Sequence, residues 1–230
     1  MTAQSFLAGQ ILLLDKPLNW SSFQAVNKLK YLLKRYSPEL KKIKIGHAGT
    51  LDPLATGLLI ICTGKFTKRI TEFQNLPKTY TGQICLGATT PSFDLETAIN
   101  ETFPMDHLSE ALILEKVQDF VGDISQKPPI FSAIKKDGIR LYEHARNDEA
   151  VEIVARPVHV YHFKITAIHL PYLDFEIKCS KGTYIRSLAN DLGQALNCGG
   201  HLTALKRTKI GDFEVINADT IETFEARLKE

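Results

Sequence analysis

The chain has 230 residues, of which 44% are hydrophobic, 23% charged and 9% aromatic, and this composition excludes disordered, fibrous and disulfide-dense proteins. Its apolar runs, such as residues 58–62, are far shorter than the roughly 18 to 20 residues that span a bilayer. The first residues lack the basic start of a signal peptide. We therefore expect a cytoplasmic protein without a membrane segment.

The net charge of +2 hides an uneven distribution. Residues 211–230 hold six acidic and two basic residues, which leaves residues 1–210 with an excess of six positive charges. The first of two basic clusters consists of Lys34, Arg35, Lys41, Lys42 and Lys44, and Glu39 is the one acidic residue among them. The second consists of Lys206, Arg207 and Lys209. Such clusters are typical of proteins that bind polyanions and equally of solvated surfaces, so charge alone leaves both interpretations open.

The predicted elements alternate between strands and helices from the start of the chain. Apolar runs and alternation indicate strands, and apolar residues at helical spacing after an N-cap indicate helices. The first half reads as a strand at 10–14, a helix from Ser21 and Ser22 to Tyr36, a glycine-punctuated loop at 46–57, a strand at 58–63, a short helix at 66–73 and a strand at 79–87.

The second half continues the mixture and sets the fold class. It reads as a helix at 109–121, a hairpin around 136–138, strands at 151–168 and 173–179, a helix at 185–196, a strand at 201–210 and a last helix capped by Asp219 and Glu222. Consecutive strands joined by short turns pair antiparallel. The sequence therefore predicts an α+β fold with a mixed, largely antiparallel central sheet flanked by helices.

Several common chemistries lack their sequence signature in this chain. No P-loop, dinucleotide fingerprint, G-x-S-x-G or H-E-x-x-H motif occurs. The cysteines, at positions 62, 85, 179 and 198, form no C-x-x-C pair and are expected to be reduced core thiols. We predict neither a metal site nor a cofactor.

The loop at 46–57 is the segment best suited to catalysis. It places one carboxylate, Asp52, shortly before an apolar strand, and catalytic groups concentrate on loops held by rigid elements. Pro53 fixes the backbone after Asp52, and the glycines at 46, 49 and 57 would let the chain approach a ligand closely. Taken alone, Asp52 fits a turn or cap residue better than a nucleophile.

Two later segments complete a pattern with this loop. Tyr80 opens a strand, and Arg186 ends the segment 181–186 at the start of a helix. Together with the Asp52 loop, these segments closely resemble the tRNA pseudouridine synthase B family, which isomerises uridine 55 in the T-loop of tRNA. The resemblance runs from about Gly9 to Phe213 and includes, in the order of the family, the segments 9–17, 132–135 and 156–158.

The resemblance implies a catalytic role for three residues. Asp52 would be the catalytic carboxylate, Tyr80 would stack on the target base and serve in proton transfer, and Arg186 would pair with Asp52. Moving a glycosidic link from N1 to C5 requires a carboxylate and a proton acceptor but no cofactor. Whether Asp52 attacks the base, attacks the sugar or acts through elimination stays open.

The resemblance also implies how RNA is held. His47 would fill the space left by the flipped uridine, Tyr184 and Leu205 would line the base site, and a lobe inserted at 128–155 would close over the T-arm. Four cations would neutralise phosphates: Lys68, Lys206, Arg207 and Lys209. The expected partner is tRNA, bound through its T-arm by a monomer, with no membrane or metal.

The sequence departs from the family in two places. Many members carry a further C-terminal RNA-binding domain, whereas here a catalytic domain over 1–213 is followed only by a short acidic helix at 214–230. Pro91 stands where an Asp is usual, and Thr97 where a Gly is usual.

Two alternative functions belong to other classes. A non-catalytic tRNA-binding or folding factor could use the same basic surface, although the presence of Asp52, Tyr80 and Arg186 together argues against it. A glycosidase-like hydrolase normally needs two cooperating carboxylates, and the loop offers one.

Overall fold

The computed structural model describes residues 2–132, 135–136, 138–141, 143, 147, 149 and 151–229. The chain forms two compact units. The first contains the residues up to Tyr80 and those from Leu205 onward, and the second contains Thr81–Ala204. Within the described ranges, every helix is too short or too polar to cross a bilayer.

Helices and strands alternate along the chain. The α-helices with described bounds are α1 (Ala3–Ala8), α2 (Ser22–Tyr36), α3 (Ile70–Asn75), α4 (Glu110–Gln118), α5 (Ile185–Ala195) and α6 (Ile221–Arg227), and 3-10 helices span Pro38–Lys42, Gly64–Arg69 and Val215–Asn217. The strands are β1 (Ile11–Lys16), β2 (Ile45–His47), β3 (Ala55–Thr63), β4 (Lys78–Leu86), β5 (Ala88–Thr89), β6 (Glu101–Thr102), β7 (Gly122–Gln126), β8 (Lys135–Lys136), β9 (Ile139–Arg140), β10 (Arg156–His169), β11 (Tyr172–Cys179), β12 (Gly200–Ile210) and β13 (Phe213–Glu214).

Strand β3 is the centre of the first unit. It pairs antiparallel with β1 and β2 and parallel with β12, so the sheet is mixed. Leu59 and Ile61 belong to the core cluster around α2, whereas Leu58 and Ile60 belong to the cluster that contains Phe73 of α3. Since successive side chains point to opposite faces, this continuous apolar run gives a strand covered on both sides.

Helix α2 forms where its caps and apolar stripe predict it. Ser21 and Gln24 form a reciprocal capping box that satisfies two backbone donors of the first turn. Leu29 and Leu33 are fully buried, and the helix ends at Tyr36 before Ser37 caps it. The opposite face of the helix is left to solvent.

The C-terminal segment is part of the first unit. The backbone of Asp219 exchanges hydrogen bonds with β1, donating to the Leu13 carbonyl (3.0 Å) and accepting from the Asp15 amide (2.8 Å). The predicted caps of the last helix are wrong, because Thr220 and Thr223 form its capping box. Asp219 is one residue too early, since its backbone is engaged with β1.

The second unit is built on antiparallel strands. Strands β10 and β11 pair antiparallel, as their alternation predicts, and β7 pairs with the other edge of β10. The rings of Phe163 and Phe175 meet edge to face on adjacent strands. Strand β10 begins at Arg156, later than predicted, and α4 ends at Gln118, three residues earlier than predicted.

The predicted hairpin is present in the described part of its segment. Lys135–Lys136 pairs antiparallel with Ile139–Arg140, and Gly138 has the positive φ of 85° that a tight turn requires. Asp137, and much of the predicted inserted lobe, lie outside the described residues. The α+β class and the largely antiparallel sheet are confirmed.

Candidate active site

The Asp52 loop is shorter and more firmly held than the sequence suggests. The first two residues of the predicted loop, Gly46 and His47, belong to β2, and β3 begins at Ala55. The loop itself therefore spans residues 48–54. Ser22 Oγ accepts a hydrogen bond from the Leu51 amide (2.8 Å) and donates to the Leu51 carbonyl (3.1 Å). The backbone directly before the half-buried Asp52 is therefore fixed to the start of α2.

Lys16 supports the other side of Asp52. Its side chain is fully buried at the end of β1. The ammonium donates to the carbonyls of Pro17 (2.9 Å) and Trp20 (2.5 Å) and, more weakly, of Pro53 (3.5 Å). Burial lowers the pKa of Lys16 to about 8, while the nearby Asp52 carboxylate opposes this shift. A buried cation thus lies close to the predicted catalytic carboxylate.

Arg207 is a second buried cation beneath the loop. Only 1% of the residue is exposed. Its guanidinium donates from Nε to the Leu58 carbonyl (2.7 Å) and from Nη2 to the Gly49 carbonyl (3.0 Å). The side chain is withdrawn from solvent and joins the loop to β3, an arrangement that does not favour a phosphate contact; that contact of Arg207 stays a prediction.

The glycines of the loop serve close approaches within the protein. Gly57 has φ of 101°, and a Cβ there would lie 2.7 Å from the Arg207 backbone nitrogen, so only glycine lets β3 and β12 meet in this register. Gly46 likewise lies against the side chain of Ile70. These two glycines were predicted to admit a ligand, but here they admit neighbouring protein atoms.

His47 ends β2 and is half-buried. Burial and, after it, the Arg207 guanidinium lower the pKa of the imidazole. Its Nδ1 atom is buried without a hydrogen-bond acceptor or donor among the described residues. The lowered pKa favours the neutral ring, and His47 lies five residues before Asp52, at the end of β2.

Tyr80 and Leu205 also belong to the first unit. Tyr80 is 9% exposed on β4. Leu205 is half-buried on β12 and lies opposite Ala55 in the parallel register, and the Thr56 hydroxyl donates to its carbonyl (3.4 Å). Leu205 thus pairs with the residue where the Asp52 loop ends.

The remaining predicted phosphate contacts differ from each other. Lys68 is exposed at the end of a 3-10 helix. Lys206 is partly exposed, and its ammonium lies 3.3 Å from the Asp15 carboxylate. A phosphate at Lys206 would therefore have to compete with an existing ion pair.

Arg186 is buried at the start of α5 in the second unit. The guanidinium donates to the carbonyls of Ser92 (3.2 Å) and Phe131 (2.9 Å), and Nε lies 3.7 Å from the Asp94 carboxylate. The Thr97 hydroxyl lies 2.8 Å from the Ser92 hydroxyl and so helps to hold this loop. The pairing of Arg186 with Asp52 stays a prediction.

Tyr184 is placed by a residue that sequence reasoning missed. The buried Gln126 side chain accepts from the Tyr184 amide (2.8 Å) and donates to the Tyr184 carbonyl (3.0 Å). Sequence reasoning also missed Asp94, Lys16 and Ser22 as supporting residues. Nothing in their local sequence reveals that Ser22 and Lys16 contact the backbone of the Asp52 loop or that Asp94 lies beside Arg186.

The described residues contain no group of three side chains suited to hold a metal ion. Cys62, Cys179 and Cys198 are buried, and Cys85 is half-buried. Burial raises the pKa of the Cys62 thiol to about 11, so this thiol is protonated at neutral pH.

Two family models match the chain. The TruB family pseudouridylate synthase N-terminal domain matches residues 35–185, and the tRNA pseudouridylate synthase B C-terminal domain matches residues 186–230. Together they cover residues 35–230. The first match ends at residue 185 and the second begins at residue 186; the domain boundary predicted at residue 213 stays a prediction.

Curated relatives named tRNA pseudouridine synthase B match over almost their whole length. The protein from Flavobacterium johnsoniae is 64% identical over 229 residues, covering 100% of both chains. The one from Phocaeicola vulgatus is 51% identical over 96% of this chain and 93% of the relative.

Solved structures show the same fold. A chain of a Cbf5–Nop10–Gar1 complex is similar with a TM-score of 0.73 and 25% identity, over 98% of this chain and 56% of that one. A chain of an H/ACA RNP bound to a substrate RNA containing 2'-deoxyuridine has a TM-score of 0.71 and 22% identity, over 98% and 55% of the two chains.

Proposed function

Since the chain belongs to the TruB family of pseudouridine synthases, we propose that it converts uridine 55 in the T-loop of tRNA into pseudouridine, with Asp52 as the catalytic carboxylate. The family is the one that the motifs predicted, and the enzyme is an isomerase. The name shared by the relatives supports tRNA as the substrate. Position 55 rests on the resemblance of the Asp52 loop.

The observation that carries the proposal is the way the Asp52 loop is held. Three side chains from different parts of the chain bind its backbone: Ser22 at Leu51, Lys16 at Pro53 and Arg207 at Gly49. A reacting group must be held within a fraction of an ångström to be effective, and supporting bonds of this kind provide that. An ordinary turn residue does not need such support.

The reaction itself matches what the loop offers. The bond between C1' of the ribose and N1 of uracil breaks, and a bond between C1' and C5 forms. The proton leaves C5, and N1 ends with a proton. Asp52 assists the detachment of the base, and Tyr80 holds the uracil ring by stacking while it turns and takes part in removing the C5 proton.

Arg186 is proposed to keep Asp52 ionised. A guanidinium beside a carboxylate favours its charged form. Arg186 is 4% exposed and is held by two carbonyls and Asp94, so its orientation is restricted. This restriction suits a residue that must present its charge in one direction.

The target uridine must leave its stack before it can react, which costs roughly a few kcal/mol. His47 is proposed to fill the vacated space. Its neutral ring suits this role, because a charged imidazolium would lose more hydration on entering the RNA fold. Tyr184 and Leu205 are proposed to line the base site.

RNA phosphates are proposed to contact Lys68 and Lys206. Lys206 would exchange its Asp15 partner for a phosphate. The domain plan follows the resemblance: a catalytic domain over 1–213 whose inserted lobe at 128–155 closes over the T-arm of tRNA, followed by the short acidic helix at 214–230. The protein is proposed to act as a monomer.

Replacing Asp52 with Asn tests the proposal. The change removes the negative charge and keeps the size, so tRNA binding should persist while pseudouridine formation falls by roughly a thousandfold or more. Tritium release from tRNA labelled at C5 of uridine measures turnover, and mapping of pseudouridine gives the position. Asp212→Asn, at an exposed turn of the same unit, is the matched control and should keep wild-type turnover.

Near-normal turnover by Asp52→Asn would overturn the catalytic assignment. Binding of tRNA by the wild-type protein without any tritium release would favour the non-catalytic folding factor instead. Tritium release with pseudouridine at a position other than 55 would keep the enzyme class and overturn the proposed target.

A further inference from the structure

Helix α2 and the segment after it carry the excess positive charge of the chain. Residues 22–44 hold seven cations and the single carboxylate Glu39. This difference of six equals the excess of residues 1–210 as a whole, so the rest of that stretch is balanced. We call these seven cations the α2 basic face: Lys28, Lys30, Lys34, Arg35, Lys41, Lys42 and Lys44.

The α2 basic face is open to solvent. Five of its members, from Lys34 onward, are exposed, and none of the seven forms an ion pair within the part of the chain that the structure describes. The pKa of the Glu222 carboxyl is lowered mainly by its hydrogen bond with Thr220 and to the smallest extent by Lys28, so Glu222 is near one of these cations. Elsewhere in the first unit, carboxylates lie beside Arg69, Lys206, Lys209, Arg227 and Lys229.

Three aromatic residues of α2 are exposed, Phe23, Tyr31 and Tyr36, and Tyr31 lies between two of the cations. Tyr31 is 52% exposed, with Lys28 Nζ 5.7 Å and Arg35 Cζ 5.6 Å from the centre of its ring. Cation–π contacts at these distances restrict two long side chains that would otherwise sample many rotamers. The side chains of Lys28 and Arg35 are therefore partly ordered before a ligand binds.

The part of the face that lies on α2 extends away from the Asp52 loop. Helix α2 begins at Ser22, which binds the backbone of Leu51. With a rise of 1.5 Å per residue, Lys28 lies about 9 Å and Arg35 about 20 Å along the axis from this contact. An RNA whose uridine is at Asp52 is large enough to reach this distance.

We propose that the α2 basic face is a second RNA contact, which binds the phosphate backbone of the substrate at a distance from the reacting uridine. Unpaired cations on a surface with a large excess of positive charge neutralise phosphates and release counterions, and they do so without reading sequence. The identity of that RNA as tRNA rests on the proposed function. The contact contributes affinity and orientation and leaves the chemical step to the Asp52 loop.

An anionic membrane is a weaker match for this face. A helix that lies on a membrane inserts an apolar side next to its basic side. The apolar side of α2, with Leu29 and Leu33, is buried in the protein core. The exposed side carries cations together with the rings of Phe23, Tyr31 and Tyr36, and this mixed surface suits phosphate contacts in water better than insertion into a membrane.

The test compares two triple substitutions that remove the same charge. The first, Lys34→Gln with Lys41→Gln and Lys42→Gln, lies on the α2 basic face. The control, Lys116→Gln with Lys164→Gln and Lys229→Gln, lies outside it. Binding of a full-length tRNA transcript by the full chain is measured as a function of salt concentration, alongside turnover at saturating tRNA.

The first variant should bind roughly tenfold more weakly at moderate salt, and its slope of log K against log salt should be shallower by about 2, since each phosphate contact contributes roughly 0.7 to 0.9. Its turnover at saturating tRNA should stay near that of the wild type. The control should keep the wild-type slope. Equal slopes for the first variant and the wild type, or equal losses in both variants, would overturn the proposal.

The same measurements separate this proposal from the proposed function. Failure to form pseudouridine at position 55 by the wild type would refute the proposed function, while the salt slopes still decide the RNA contact. Vesicles rich in anionic lipid form a further arm. Vesicle binding that depends on the face, combined with RNA binding that does not, would assign the face to a membrane and overturn the proposal.

Tyr31 provides a second variant that leaves the charge intact. Tyr31→Ala should weaken tRNA binding several-fold at an almost unchanged slope, because the cations remain but lose their order. Tyr31→Phe keeps the ring and should restore the affinity. An equal effect of both substitutions would contradict a role of the ring in ordering the cations.

Discussion

The cations of β12 and those of the α2 basic face differ in what they contact. On β12, Arg207 is buried against two carbonyls, Lys206 is beside Asp15, and Lys209 lies 2.6 Å from Glu214. On α2, the cations point to solvent without ion pairs to described carboxylates. Two clusters of the same residue types therefore serve different ends: the first organises the protein, and the second is available to a polyanion.

The physical basis of this difference is the cost of removing a charge from water. A buried cation persists only when hydrogen bonds replace its hydration. Arg207 meets this condition through Leu58 and Gly49, which belong to β3 and to the Asp52 loop. An exposed lysine keeps its hydration and can exchange it for a phosphate at little cost. Burial therefore predicts which cations stabilise the fold.

The largest expected effect comes from Arg207→Met. The substitution leaves the carbonyls of Gly49 and Leu58 without their donors, each at a cost of roughly 1 to 3 kcal/mol, and removes the link to the loop. We expect the free energy of unfolding in urea to fall by about 3 to 6 kcal/mol, and turnover to fall with it in protein that stays folded. The free energy of unfolding of Arg207→Lys should lie between those of the wild type and Arg207→Met, because lysine keeps the charge and loses the fork geometry of the guanidinium.

A phosphate role for Arg207 would give the opposite pattern. Arg207→Met would then keep the stability of the wild type and lower only the affinity for tRNA and its dependence on salt. That result would show that Arg207 is available to RNA, as the cations of the α2 basic face are proposed to be.

The acidic C-terminal helix tests whether packing or charge governs the end of the chain. Phe224 is 1% exposed in the core cluster that also contains Leu29 of α2. Phe224→Ala should lower the free energy of unfolding by about 3 kcal/mol, because it leaves a cavity in that core. Ile216→Ala, at a residue 82% exposed, is the control and should stay within about 0.5 kcal/mol. Comparable losses in both would show that α6 is not packed as described.

The smallest expected effect concerns Lys16 and its dependence on pH. Its pKa is lowered to about 8 in the folded protein from 10.5, so between these values the unfolded chain binds more protons. The free energy of unfolding therefore rises with pH between about 8 and 10.5. This contribution of Lys16 is lost as the pH falls through about 8. Relative to Lys16→Met, the wild type should gain roughly 1 to 2 kcal/mol of unfolding free energy from pH 8 to pH 10. A constant difference between the two proteins across this range would contradict the lowered pKa.

Local patterns in the sequence were sufficient for most helices and strands. The capping serine and apolar stripe of α2, and the alternation of β10 and β11, predicted elements that the structure contains. Element ends were less accurate. β3 begins at Ala55 because it pairs there with Leu205, some 150 residues later in the chain, and Thr220 caps α6 because the Asp219 backbone pairs with β1.

The candidate site likewise contains residues that the sequence predicted and residues that only the structure revealed. The sequence, through its motifs, pointed to Asp52, Tyr80 and Arg186 and to the family that the comparisons show. It did not reveal that Arg207 is buried or that Lys16 supports the Asp52 loop.

The sequence by itself determined the elements and the family, because caps, periodicity and motifs act over a few neighbouring residues. Only the tertiary structure decided which cations are buried, which are paired and which remain open. Those properties depend on backbone carbonyls and carboxylates that are distant in sequence, such as Leu58 for Arg207 and Asp15 for Lys206. Desolvation is set by the whole packed environment, and no local pattern encodes it.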